Sequence, residues 1–209
     1  MSVSELTWLT HDYSPMAHIL PHWTWPQRVG EVTPVHVFTS ADEAELFVNG
    51  ESAGRKQRET SSYRLRWDDV KYQAGELHVV AYKDGEEWAE DSVKTASDAA
   101  ALTAAADRET INADGRDLAF VTVSVVDGEG LKVPQAADSI TFSIEGPGEI
   151  VSTDNGDPAD FTEFPSLTRD AFSGLALAIV RSKAGEAGEI TVSVSADGLE
   201  GSQVVVQSS

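Results

Sequence analysis

The segment His22-Trp23-Thr24-Trp25 puts two indoles and an imidazole within four residues. Aromatic faces stack on the C–H faces of a pyranose, and an indole N–H or an imidazole nitrogen bonds a hydroxyl. His22, Trp23 and Trp25 are therefore the candidate substrate-binding residues. The same residues serve equally as a packing surface, since grouped large aromatics mark a face that something covers or binds. A second group collects oxygen donors: Asp154, Asn155, Asp157 and Asp160 around Gly156. Ca²⁺ accepts such ligands, but Gly and Pro stand at the wrong places for an EF-hand loop. Asx turns use the same residues to close a loop on itself. No metal ligand set is assigned.

Carboxylates also occur side by side, as Asp42/Glu43, Asp68/Asp69, Glu86/Glu87 and Glu90/Asp91. Cleaving a glycosidic bond takes two carboxyl groups facing each other across roughly 5–9.5 Å, one with a raised pKa. Sequence neighbours on a strand point to opposite faces, so these pairs read as solvated charge. His11 and His18 lack the further convergent ligands that zinc requires. The chain has no cysteine, which excludes thiol catalysis, zinc–thiolate sites and disulfides. No serine nucleophile elbow and no phosphate-cradling glycine loop is present. The expectation is a chain with no catalytic residue, no metal site and no cofactor.

The elements that position these residues are strands. Pro34 to Thr39 is rich in β-formers, and Ala44 to Val48 runs into Asn49-Gly50, the strongest short hairpin signal. Tyr63 to Trp67 alternates aromatic or apolar with basic residues, and Glu76 to Tyr82 is a further strand closed by Asp84-Gly85. Arg55-Lys56-Gln57-Arg58 reads as exposed strand. Thr95 to Ala100 is small and polar and marks a boundary. Leu102 to Ala106 is alanine-rich, which favours helix, yet its strand-forming surroundings place it in a sheet. Leu118 to Val126, Ser139 to Ile144, Ile190 to Ser195 and Gln203 to Gln207 continue the pattern. Gly174 to Val180 is a nearly continuous apolar run, as for a central strand. The reading is all-β: two tandem immunoglobulin-like β-sandwiches at 34–95 and 96–209, after an irregular aromatic segment at 1–33.

The formal charge is −20 over 209 residues. Such a surface repels nucleic acid and anionic lipid and is compatible with a neutral ligand such as a sugar. No apolar run approaches the ~20 residues that span a bilayer, so neither nucleic acid nor membrane is expected as a partner. Met1 to Thr10 lacks the basic region and apolar stretch of a signal peptide; the compartment stays open.

Three stretches taken in order carry a resemblance. They are His18-Ile19-Leu20-Pro21-His22-Trp23-Thr24-Trp25; Pro34 to Thr39 running through Ala44 to Gly50 into Ser52-Ala53-Gly54; and Val133-Pro134 through Gly146-Pro147-Gly148 and Asn155-Gly156-Asp157-Pro158 to Phe172 and Val180. Together they resemble the C-terminal region of family 2 glycoside hydrolases of the β-galactosidase kind, over nearly the whole chain. The resemblance implies a TIM barrel elsewhere in the same parent chain. That barrel would carry two catalytic glutamates, the acid/base one after an asparagine, and would perform retaining hydrolysis. Here Asn49, Asn112 and Asn155 precede Gly50, Ala113 and Gly156, so no catalytic residue carries over. Residues 1–14 would leave the barrel, and the Trp23–Trp25 segment would lie against it, near the mouth of its pocket. The chain would then brace the barrel, and carbohydrate would reach it through the parent. Two other readings are an independent carbohydrate-binding module, for which Trp67 and Trp88 are the available aromatics, and a cell-surface immunoglobulin-like adhesion module, which residues Asn112 to Pro134 resemble.

Overall fold

Alternation of apolar and polar residues along short strands leaves each strand with one face to bury, and pairs of sheets bury those faces against each other. The computed structural model describes residues 14–59 and 62–209. The chain divides into two compact units, residues 1–95 and 96–209.

In the first unit β1 (Ala17–Leu20), β2 (Val35–Thr39) and β5 (Arg64–Trp67) form a three-stranded sheet in the order β1-β2-β5. Strands β3 (Glu43–Val48), β4 (Glu51–Gln57), β6 (Glu76–Lys83) and β7 (Glu86–Lys94) form a four-stranded sheet in the order β4-β3-β6-β7. Pairing is antiparallel throughout, and register lines up the inward residues: Ile19 opposite Val37 opposite Leu65 in one sheet, Leu46 opposite Val79 in the other. These residues share one core with Val35, Ala44, Trp67, Tyr72, Leu77 and Ala81. The β3–β4 and β6–β7 hairpins turn at Asn49-Gly50 and Asp84-Gly85. All four residues have positive φ (51°, 82°, 53° and 84°), as the two-residue turn that matches strand twist demands. Asn49 adds a side-chain bond, its Oδ1 accepting from the Glu76 amide at 2.8 Å. Strand β4 is exposed along its length, as expected for Arg55 and its neighbours.

Residues 17–20 fall in the segment read as irregular, yet they form β1. Only Ile19 of this strand is buried. Pro15 and Pro21 flank a strand with too few residues to show a period.

In the second unit β8 (Ala99–Ala106), β10 (Leu118–Asp127), β12 (Gly148–Asp154) and β14 (Leu175–Ser182) form one sheet, ordered β12-β14-β10-β8. Strands β9 (Thr110–Ile111), β11 (Ser139–Glu145), β13 (Thr168–Asp170), β15 (Gly188–Ser195) and β16 (Ser202–Ser208) form the other, ordered β13-β11-β15-β16-β9. Val121 pairs with Ala178 and Val123 with Ala176; facing them, Phe142 pairs with Val194 and Ile190 with Val206. All eight belong to one core cluster. The alanine-rich β8 is a strand because it pairs with β10 from Val121–Ala106 to Asp127–Ala99. Helix propensity favours alanine by under about 1 kcal/mol per residue, which sheet pairing overrides. The apolar run at β14 is central, between β10 and β12. Gly146 at φ 92° lies so close to β15 that a Cβ there would meet the Glu189 carbonyl oxygen at 2.0 Å, so no larger residue fits without moving backbone.

Phe142 is fully buried between the sheets of the second unit. Phe142→Ala is expected to destabilise that unit by roughly 3–5 kcal/mol. Urea denaturation followed by circular dichroism checks it; an unchanged midpoint would show that the ring is not packed as described.

Candidate functional site

The aromatic segment after β1 is divided between core and surface. Trp23 is 0% exposed. Its indole N–H donates to the Gln73 carbonyl at 2.8 Å, and its ring meets Tyr72 edge-on at 4.9 Å. With its indole N–H satisfied and its ring in the core, Trp23 has no exposed face. His22 and Trp25 are half-buried and stack on each other, with ring centroids 4.1 Å apart and planes at 20°. The Trp25 indole N–H donates to the His22 carbonyl at 2.8 Å, and the Thr24 amide donates to His22 Nδ1 at 3.2 Å. That amide requires Nδ1 to be the unprotonated nitrogen. The three residues therefore act as a unit in which Trp23 is the anchor and His22–Trp25 a half-buried plate.

Trp67 is 3% exposed and its indole N–H bonds the Gly54 carbonyl at 3.0 Å. Trp88 is half-buried, bonded to Ser40 Oγ at 2.9 Å with the Lys83 ammonium 4.4 Å from its ring centroid. Neither forms an open platform. His18 Nδ1 lies 3.6 Å from Asp91; His11 falls outside the described residues, as do Trp8 and the residues read as leaving a barrel up to number 13. Several adjacent carboxylates have surface partners. Glu43 pairs with Arg55 at 2.8 Å, Asp68 with Arg66 at 2.7 Å, and Asp91 accepts the Ile19 amide at 2.8 Å.

The oxygen-rich stretch 154–160 is a chain of side-chain-to-backbone turns. Asp154 Oδ1 accepts from the Asn155 and Gly156 amides, Asn155 Oδ1 from Asp157, Asp157 Oδ1 from Ala159 and Asp160 Oδ1 from Thr162. This is Asx-turn chemistry. No cluster of three or more metal-ligating side chains occurs among the described residues.

What the loop closes on is Arg169, a buried cation on β13 that belongs to no sequence motif. It is 2% exposed. Its guanidinium donates to Asp160 Oδ2 at 2.8 Å, to the Thr162 and Glu163 carbonyls at 3.0 and 2.9 Å, and to the Thr153 carbonyl at 2.8 Å. Asn155 Nδ2 reaches Asp160 Oδ2 at 3.1 Å and the Asp170 carbonyl at 3.0 Å. The guanidinium holds the Asp160 carboxyl down at about 2 from the ordinary 3.8, aided by the Thr162 amide. A sequence signal exists: Arg169 is the only basic residue between Lys132 and Arg181. Asp127 is a second such hub. Its buried carboxylate accepts from the Ser97, Glu129 and Leu131 amides, the Ser97 bond being the main cause of its lowered pKa.

Residues 102–205 match the model of the glycoside hydrolase family 2 C-terminal domain 5, and residues 30–89 match a domain of unknown function, DUF4982. The chain belongs to the C-terminal region of family 2 glycoside hydrolases. A β-galactosidase of Bacteroides ovatus is 35% identical over 182 residues, covering 87% of this chain and 21% of that protein. A β-glucuronidase of Formosa agariphila is 27% identical over 196 residues, covering 93% of this chain and 20% of its own length. The crystal structure of a β-glycosidase from Bacteroides vulgatus superposes with a TM-score of 0.88 at 27% identity, over 93% of this chain and 25% of the other. The family 2 module thus spans 21% or less of the curated relatives it matches.

Two outcomes are expected from the geometry. Trp23→Ala removes a buried indole and is expected to destabilise the first unit by about 3–5 kcal/mol, whereas Trp25→Ala costs less; thermal denaturation of both variants checks the order. Asp160 has a folded pKa below its unfolded one, so its contribution is present above pH 3.8 and is lost as pH falls toward about 2. Calorimetric midpoints of the second unit should fall more steeply over that window in the parent sequence than in Asp160→Asn.

Proposed function

We propose that this module is the non-catalytic accessory part of a retaining glycoside hydrolase, bracing a TIM barrel in the same polypeptide that carries both catalytic carboxylates. The observation that carries the proposal is one of proportion: the match covers 87% of this chain but only 21% of the β-galactosidase. The titration of the acids supports it. Every carboxylate whose pKa the fold displaces, among the described residues, is displaced downward: Asp107, Asp114, Asp117, Asp127 and Asp160. Backbone amides and, for Asp160, Arg169 are the leading causes. A general acid in glycoside hydrolysis needs the opposite displacement.

Terminal β-galactosides are the substrates we assign to the parent, on the 35% identity to the Bacteroides ovatus enzyme. β-Glucuronides form the second reading, favoured by two Formosa agariphila proteins named as β-glucuronidases at 34% and 27% identity. A family 2 β-glucuronidase structure also superposes with a TM-score of 0.83. Within the parent, the His22–Trp25 plate lies at the barrel side of the module and shapes the approach to its pocket, with Trp23 holding it in place.

The purified chain is expected to show no turnover of nitrophenyl β-galactoside or nitrophenyl β-glucuronide. The parent should turn over the first, with Trp25→Ala raising KM more than it lowers kcat. Turnover by the chain alone, surviving repurification, would overturn the accessory reading; turnover of the glucuronide alone by the parent would replace the substrate assignment.

A further inference from the structure

The loop that Arg169 holds carries two bare aromatic rings. Phe161 is 95% exposed and Phe164 is 62% exposed. Leaving apolar rings in water is unfavourable, and a mobile loop could turn them inward. This loop has no such freedom. The residues on both sides of Phe161 are tied to one guanidinium, Asp160 through its carboxylate and Thr162 through its carbonyl. Phe164 is fixed by its own carbonyl, which accepts from the Thr153 amide at 2.7 Å, and Thr153 Oγ1 bonds the Ser166 carbonyl at 2.7 Å. A buried cation and a run of Asx turns thus hold the backbone so that the rings stay in solvent. Rigid scaffolds that present exposed loop residues are the usual form of a binding site.

We propose that Phe161 and Phe164 form a stacking platform for a neutral glycan, separate from the His22–Trp25 plate. Three features choose this occupant. The π face of a ring is electronegative and attracts the polarised C–H face of a pyranose. The exposed Glu163 and the half-buried Asp157 supply carboxylates of the kind that bond sugar hydroxyls, and the exposed Thr162 adds a hydroxyl oxygen whose own proton is directed to Asp160. The surroundings are acidic, with Asp154, Asp157, Asp160 and Glu163 near in sequence and −20 on the chain, so an anionic polymer is repelled while an uncharged one is not. Area separates a glycan from a protein partner. Two rings present about 150–250 Å² each, well short of the roughly 800 Å² per partner of a stable protein interface, but matched to one or two sugar rings. The platform would hold polymer close to the parent's barrel, and in that respect it rests on the accessory reading. Binding by the chain itself is independent of it.

The test is affinity electrophoresis of the full 209-residue chain in native gels containing β-1,4-galactan, galactomannan or polygalacturonate. Retardation is expected in at least one of the neutral polymers and not in polygalacturonate. Phe161→Ala should weaken binding roughly tenfold or more with an unchanged melting temperature, since the ring is solvated. Phe161→Trp should retain it. Asp160→Asn, which keeps both rings but loosens their support, should weaken it by less. Absence of retardation in both neutral polymers, or equal retardation of Phe161→Ala, would overturn the proposal. So would sedimentation velocity showing self-association that Phe161→Ala abolishes, which would make a second copy the occupant. None of these results bears on whether the parent hydrolyses galactosides, so failure here and failure of the accessory reading are told apart.

Discussion

Each unit is held by the burial of two inward sheet faces against each other, and the period of two that this imposes governs where chemistry can sit. Along β10 the residues at 119, 121, 123 and 125 are buried while Phe120 and Thr122 face out; along β6 the buried residues are Leu77, Val79 and Ala81. With no disulfide available, nothing else of comparable size opposes the chain entropy of some 200 residues. Most inward positions are therefore committed to apolar packing, with a few polar exceptions such as Thr39, Thr153 and Ser182. A polar function has to come from outward positions, short edge strands or the connections, as with the groups around Arg169 on β13 and Asp127 at the end of β10.

Arg169 is the exception that clarifies the rule. It occupies the one buried position of the short edge strand β13, and there an ionised group survives because its donors are matched. A carboxylate and three carbonyls accept from it at 2.8–3.0 Å. Removing a single partner from such a buried set leaves the others uncompensated, so the loop from Asp154 to Thr168 moves with the guanidinium or not at all. The same mechanism joins the Asx turns at 154–160 to the loop beyond them and supports Phe161.

The legible and illegible parts of the fold divide along physical lines. Asn49-Gly50 and Asp84-Gly85 announced their hairpins because positive φ at two successive residues restricts the sequence severely. The alternation of β10 and the continuous run of β14 were readable because long strands repeat their pattern. The oxygen cluster at 154–160 was readable as Asx turns because those bonds are local. Strand β1 was not readable, since one buried residue makes no pattern. Trp23 and Trp25 could not be told apart, because an indole that fills a core and one that faces out have the same neighbours in sequence; only the Gln73 carbonyl, 50 residues away, distinguishes them. Arg169 was missed although three of its four partner residues lie within ten positions, because nothing in their types says that a cation is buried among them.

The electrostatics of the module lead to the same conclusion as its packing. A carboxyl acts as a general acid near neutral pH when it is desolvated and short of donors. In this fold the buried volume belongs to the pleat, and the carboxylates that do turn toward structure meet backbone amides, as Asp127 meets those of Ser97, Glu129 and Leu131. Those amides stabilise the ionised form and drive the pKa down. A sandwich stapled at its loop ends by ionised aspartates thus gains order from the very interaction that disqualifies those aspartates as acids.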